Sequence, residues 1–204
     1  MRGVVKALIF DFGGVLTNPV WESFAHFCRE EGLEEDKVKR MFREDPGALA
    51  DLRELEKGEV EEAEFERRFA ERLGLASSEE LIERLFVGMT PLEEMIEVVR
   101  VARAAGLKTA LLSNSWSVDH YDRKMLDELF DVAVISGEVG MHKPEEEIYR
   151  LTVDKLGVEP SECVFIDDLR ENCEGAEAIG MTAIRHRHAG ETIERLKTLT
   201  ALQL

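Results

Sequence analysis

Five short apolar runs, each closed by a polar residue, constrain this chain more than any other feature. They are VVKALIF (Val4 to Phe10), LKTALLS (Leu107 to Ser113), VAVIS (Val132 to Ser136), CVFID (Cys163 to Asp167) and MTAIR (Met181 to Arg185). Runs this short, nearly continuous and rich in β-branched residues are the pattern of strands buried on both faces of a parallel sheet. Helical segments separate the later ones. Thr90-Pro91-Leu92-Glu93 reads as an N-cap, a first-turn proline and a capping-box glutamate, with Leu92, Met95, Ile96 and Val99 on one face and Gly106 as the stop. A second helix is opened by Pro144, carries Ile148, Leu151 and Leu156 on one side and ends at Gly157; a shorter one stops near Gly180. Strands alternating with helices predict an open α/β sheet.

Between the first and second runs the pattern changes. From Trp21 to Phe86, apolar residues recur at helical spacing (Phe24, Phe27 and Cys28; Phe65, Phe69 and Leu73) among glutamates and arginines, with no strand. That block is a helical insertion, and 204 residues are enough for one core domain that carries it. The glutamates between Glu54 and Glu83 read as a solvated helix face.

A net charge of −17 and a pI near 4.8 oppose lasting contact with nucleic acid or an anionic membrane, both of which need Lys and Arg to meet phosphates. A divalent cation suits such a chain. The N-terminal MRGVVKALIF is expected to be a strand rather than a signal peptide, because its apolar run is short and Asp11 follows. No stretch reaches the roughly 20 apolar residues of a membrane helix. Cys28, Cys163 and Cys173 fit reduced, structural thiols, so a cytoplasmic protein is expected, as a monomer or a homodimer.

In open α/β sheets ligands bind beyond the carboxyl ends of the strands. The first strand is followed by Asp11, the second closes at Ser113-Asn114, the fourth at Asp167-Asp168, and the loop after the third carries Lys143. Such a set suits phosphate chemistry. Asp11 and Asp168 can hold Mg²⁺, and Lys143 and the Ser113 hydroxyl can bind phosphoryl oxygens. A poised aspartate can attack phosphorus and form an aspartyl-phosphate. Gly13 and Gly14 let the backbone come close, so that the Gly13 carbonyl can face the metal.

Each residue also has a plainer reading. An aspartate after a strand is commonly a turn or cap residue, Ser113-Asn114 can cap a helix, and Lys143 can be a surface lysine. Asp167-Asp168 is a stronger signal, since adjacent acids at the end of a buried strand repel unless a cation or donor offsets them. The letters D-F-G at 11 to 13 do not make a kinase, because only ten residues precede Asp11.

With these motifs in this order, FDFGGVLT, LLSNS, MHKPEEEIY and FIDDLREN, the chain resembles the haloacid dehalogenase superfamily over nearly its whole length. The resemblance implies a Rossmann-like parallel-sheet core (residues 1–17 and 87–204) with a small inserted helical cap domain (18–86) that chooses the substrate. It implies that Asp11 is the nucleophile and a Mg²⁺ ligand, with the Gly13 carbonyl and Asp168 as further ligands and Asp167 acting through a metal-bound water. Ser113 and Asn114 would then bind the phosphoryl group and Lys143 would neutralise charge. Asn172 would orient the acidic loop or cap a helix.

The departure from that pattern is Gly13, where phosphatases of the superfamily carry a second aspartate as acid and base. The loss of a general acid typically costs about 10²–10⁴ in rate. His120, Asn18, His26 or a metal-bound water are the candidates to replace it, unless the substrate has an easy leaving group. Asn18, Trp116 and His120 are expected to bind the substrate, and Trp21, Phe24 and Phe27 to line its pocket or the helical core. The expected activity is Mg²⁺-dependent hydrolysis of a small phosphorylated metabolite, such as a sugar phosphate. A metal-independent 2-haloacid dehalogenase and a non-catalytic binding protein of the same fold stand as alternatives.

Overall fold

The computed structural model describes residues 4–119, 121–200 and 202–204. Five parallel strands form one sheet in the order β3-β2-β1-β4-β5. They are β1 (Ala7–Phe10), β2 (Lys108–Ser113), β3 (Val132–Ile135), β4 (Cys163–Asp167) and β5 (Thr182–Arg185). β1 lies at the centre, paired with β2 through Ala7↔Lys108 and with β4 through Ala7↔Cys163. The predicted first strand begins three residues later than Val4, which stands clear of both neighbours and is 82% exposed.

The alternation within β1 explains why the run looks continuously apolar. Leu8 and Phe10 face a cluster with Met95, Val99, Leu126 and Leu196, whereas Ala7 and Ile9 face Ile148, Tyr149 and Val153. Both faces are covered by helices, so neither set of positions tolerates water. On the first face lie α6 (Glu93–Ala104), α7 (Arg123–Leu129) and α11 (Ala189–Thr200); on the second lie α9 (Glu146–Leu156) and α10 (Arg170–Ala178).

Between β1 and α6 stand five helices: α1 (Val20–Glu30), α2 (Lys37–Glu44), α3 (Pro46–Glu56), α4 (Glu62–Leu73) and α5 (Leu81–Phe86). They bury their own cluster, centred on Phe24, Phe27, Phe65, Phe69 and Leu85. Two connections join this block to the sheet, and they pair with each other. Thr17 bridges Pro91, Leu92 N donates to Leu16 O at 2.8 Å, and Asn18 N donates to Thr90 O at 2.9 Å.

That pairing corrects the predicted start of α6. Thr90 and Pro91 are used in the bridge, so the helix opens at Glu93 with Leu92 at its N-cap and no side-chain cap. α9 likewise opens at Glu146 rather than Pro144, because residues 142–145 form a turn in which Glu145 N donates to His142 O at 2.9 Å. A four-residue helix, α8 (Ser136–Val139), follows β3 directly. No helix among the described residues is long and apolar enough to cross a membrane.

Candidate functional site

β1 and β4 deliver three carboxylates to one point. Asp11 continues the β1 pairing, its N–H donating to Ile166 O at 2.9 Å, and Asp167 closes β4. Oxygens of Asp11, Asp167 and Asp168 all lie within 4.8 Å of one another. Gly14, with φ of +76°, makes the turn behind Asp11; a Cβ there would stand 2.8 Å from Asp168 Oδ2, so only glycine lets the acid come this close.

Lys143 is 2% exposed and reaches into this cluster from the turn before α9. Its Nζ donates to Asp11 Oδ1 at 2.7 Å, Asp167 Oδ2 at 2.8 Å and Leu112 O at 2.9 Å, which uses all three of its hydrogens. The neighbouring acids hold its ammonium above the ordinary lysine range against the opposing effect of burial. Asn172 donates to both oxygens of Asp167, at 3.1 and 3.0 Å, and Leu169 N donates to Oδ1 at 2.8 Å. Asn172 therefore orients the acidic loop; the N-cap of α10 is Leu169.

One lysine does not offset three clustered acids. Burial pushes Asp11 well above the ordinary carboxylate range, Lys143 pulls it back, and the charges of Asp167 and Asp168 push it up again. Burial, followed by the charge of Asp167, holds Asp168 at about 6. An all-oxygen donor set with excess negative charge fits a hard divalent cation such as Mg²⁺. Asp11, Asp167 and Asp168 could together hold such an ion.

Ser113 and Asn114 follow from β2, and both are already engaged. Ser113 Oγ lies 2.9 Å from Tyr121 Oη, a phenol that burial keeps protonated. Asn114 clamps the lysine turn: its Oδ1 accepts from Lys143 N at 2.8 Å and its Nδ2 donates to Lys143 O at 3.0 Å. The same Nδ2 donates to Glu56 Oε2 at 3.2 Å, so α3 of the helical block touches the site. Glu56 is thus no part of a solvated face, contrary to the reading of the glutamate-rich stretch.

A cavity of about 1000 Å³ opens over these residues and runs under the helical block. Asp11, Gly13, Ser113, Asn114, Lys143 and Asp168 line its floor. Trp21, Phe24 and Phe86 line its far wall together with Trp116, whose ring stands 5.3 Å from that of Phe24 and 5.2 Å from that of Phe86. Trp116 is therefore both a lining residue and the core's anchor in the helical block. Phe27 is core alone, 2% exposed with the Arg84 guanidinium over its ring.

Asn18 is not among the lining residues. Its Oδ1 accepts from Thr90 N at 2.8 Å and its Nδ2 donates to Gly88 O at 3.1 Å, so it ties the two connections together. His26 packs near Gly88, also off the cavity. His120 lies outside the described residues. Sequence reasoning missed Tyr121, Glu56 and His142; the last sits next to Lys143, and nothing in a helical glutamate's local pattern marks it as facing inward.

A family model described as haloacid dehalogenase-like hydrolase matches residues 5–180. Bifunctional epoxide hydrolase 2 of Sus scrofa is 26% identical over 220 residues, which cover 98% of this chain but 40% of that protein. The chain thus spans about two fifths of that relative's length. The phosphatase MT3486 of Mycobacterium tuberculosis (strain CDC 1551 / Oshkosh) is 28% identical over 200 residues, 92% of this chain and 90% of that one. Among solved structures, the magnesium complex of the HAD family enzyme bt-2542 from Bacteroides thetaiotaomicron shares the fold with a TM-score of 0.72 at 24% identity, covering 95% of this chain and 98% of that one. Because the matched span runs from the first strand past the helix after the fourth, taking in the three acids and the buried lysine, the chain belongs to the haloacid dehalogenase-like hydrolase family.

Proposed function

We propose that this protein is a Mg²⁺-dependent phosphatase of a small phosphorylated metabolite, acting through an aspartyl-phosphate on Asp11. The observation that carries the reading is the clustering of Asp11, Asp167 and Asp168, with the Lys143 ammonium bonded to the first two and with Asp11, Asp168 and Lys143 at the floor of one large cavity. Two adjacent acids at the end of β4 would be a liability in a metal-free dehalogenase, and they suit a cation. The phosphatase from Mycobacterium tuberculosis and the magnesium-bound Bacteroides enzyme support the same reading.

In this account residues 18–86 are a cap domain over a core of 1–17 and 87–204. Asp11 attacks phosphorus, and Lys143 holds its carboxylate in place and offsets charge on the phosphoryl group. The Ser113 hydroxyl, oriented by Tyr121, meets a phosphoryl oxygen. Asn114 serves chiefly by fixing the Lys143 turn, since its amide is already committed at both ends. Mg²⁺, held by Asp11, the Gly13 carbonyl and Asp168 with Asp167 acting through a bound water, would supply charge neutralisation at the phosphoryl oxygens.

The aromatic far wall, with Trp21, Phe24, Phe86 and Trp116, favours an ester with a ring or apolar body over a bare sugar phosphate. Buried, free Cys28, Cys163 and Cys173 agree with action in the cytoplasm. The test is phosphate release from a panel of sugar phosphates, nucleotides and prenyl and aromatic phosphates, with Mg²⁺ and with EDTA. Turnover lost with EDTA supports the reading. Chloride release from 2-chloropropionate without metal would move the assignment to a dehalogenase, and phosphate binding with no turnover to a binding protein.

A further inference from the structure

The phosphatase reading leaves no acid at position 13 to protonate the departing oxygen. A Cβ on Gly13 would stand 2.8 Å from Val20 Cγ2, so the space a side chain would need there is filled. Among the described residues, another group that lines the cavity is needed to supply the proton. Apart from Asp11 and Asp168, the carboxylates that line it are Glu56, Glu83 and Glu171. Glu83 and Glu171 are exposed, whereas the Glu56 side chain is 12% exposed and bonded to Asn114, beside the reacting groups.

Glu56 also faces an unusual partner. His142 is 8% exposed, and its Nδ1 is buried without a hydrogen bond among the described residues. Buried polar atoms are rarely left so, and this one belongs to a residue that lines the cavity. The nearest acid to it is Glu56, with Oε2 at 3.6 Å. On the other side of the ring, Nε2 lies 3.3 Å from Glu145 Oε1. Glu145 is in turn paired with Lys57 at 2.5 Å, and Gly58 packs so closely on Gly137 that a Cβ would meet its carbonyl at 2.9 Å. The end of α3 is therefore held against the core at this point, and Glu56 is fixed where it is. Charged and titratable groups near Glu56 and His142 include, among the described residues, Glu145, Lys57, Arg53, Lys143 and Tyr121.

We infer that Glu56, held in the cavity by Asn114 and flanked by His142, is the general acid and base of this enzyme. As the bond between phosphorus and the ester oxygen breaks and the bond from Asp11 to phosphorus forms, Glu56 gives its proton to the leaving oxygen. The Glu56 carboxylate then takes a proton from the water that attacks the aspartyl-phosphate. That step releases inorganic phosphate, frees Asp11 and restores the proton to Glu56. His142 is a positioning residue in this scheme: its ring stands between Glu56, 3.6 Å from Nδ1, and Glu145, 3.3 Å from Nε2, and keeps the Glu56 carboxyl group in place. The inference rests on the phosphatase reading of Asp11.

The test compares an ester that needs leaving-group protonation with one that does not. Glu56→Gln preserves shape, and its amide oxygen still accepts from Asn114, so the cavity keeps its form. With Mg²⁺ present, this variant is expected to lose about 10²-fold or more in kcat on phenyl phosphate while p-nitrophenyl phosphate, whose phenolate leaves readily, is affected far less. His142→Gln is expected to show the same selectivity in weaker form. Equal losses on both esters, or selectivity in Tyr121→Phe but not in Glu56→Gln, overturn the role of Glu56 and leave the phosphatase standing. No Mg²⁺-dependent hydrolysis of either ester by the unmodified protein, or hydrolysis that survives Asp11→Asn, overturns the phosphatase reading and this inference with it.

Discussion

Val20 and Gly13 share one space: the Val20 Cγ2 methyl lies 2.8 Å from where a Cβ on Gly13 would be. The helical block, through the first residue of α1, has closed over the position at which an acid would stand. Introducing one by Gly13→Asp is overpacking, with an expected cost of about 1–3 kcal/mol. The double variant Gly13→Asp with Val20→Ala should be more stable than the single one. Thermal unfolding of the two checks this, and a double variant no more stable than Gly13→Asp would contradict it.

Lys143 is the only cation bonded to Asp11 and Asp167 among the described residues, and its side chain is 1% exposed. Lys143→Met leaves two buried acids without it, and the expected loss is about 3–5 kcal/mol. Adding Asp167→Asn should restore part of the stability and none of the activity. Urea unfolding in EDTA at neutral pH measures both; a loss below about 1 kcal/mol for Lys143→Met would show that the ammonium is not what holds the acids together.

Mg²⁺ should stabilise the native protein by mass action, by about 2.7 kcal/mol when its concentration is one hundred times its dissociation constant. Asp168→Asn removes a proposed ligand and also relieves repulsion from Asp167. The variant is therefore expected to be more stable than the unmodified protein in EDTA and to gain little from Mg²⁺. A melting temperature that rises equally in both proteins on adding Mg²⁺ would place the metal elsewhere.

Alkaline stability is expected to depend on Cys163, whose thiol is 1% exposed and pushed up to about 12 by burial and, less strongly, by the charge of Glu162. The unfolded thiol loses its proton near 9, so between about 9 and 12 the native state binds more protons than the unfolded one. Stability falls as pH rises through that window. Cys163→Ala should flatten this part of the profile, measured by urea unfolding at stepped pH, and an unchanged slope would contradict the assignment.

The strand-end chemistry was legible because the sheet imposes it: a buried parallel strand must be apolar, so the polar residue that closes it stands out. Asp11, Ser113 and Asp167 were found in that way, and Lys143 by the loop that follows β3. Cross-domain partners left no such trace. Asn18 reads as a pocket residue until its bonds to Gly88 and Thr90 show it joining two connections 70 and 72 residues away in sequence. Glu56 is one glutamate among many in a helical pattern, and only the docking of α3 on the core reveals that it faces Asn114. The start of α6 was misread for a related reason, since a local capping signal at Thr90 lost to a bridge with Thr17 that no local rule contains.

The most direct measurement is acid-quench mass spectrometry of the protein during turnover of a substrate from the panel, with Mg²⁺ present. One phosphoryl group is expected on the peptide that contains Asp11, with none in Asp11→Asn, which should also release no phosphate. Phosphate release by Asp11→Asn at the rate of the unmodified protein, or a phosphoryl group on another residue, would contradict the central claim that Asp11 is the nucleophile.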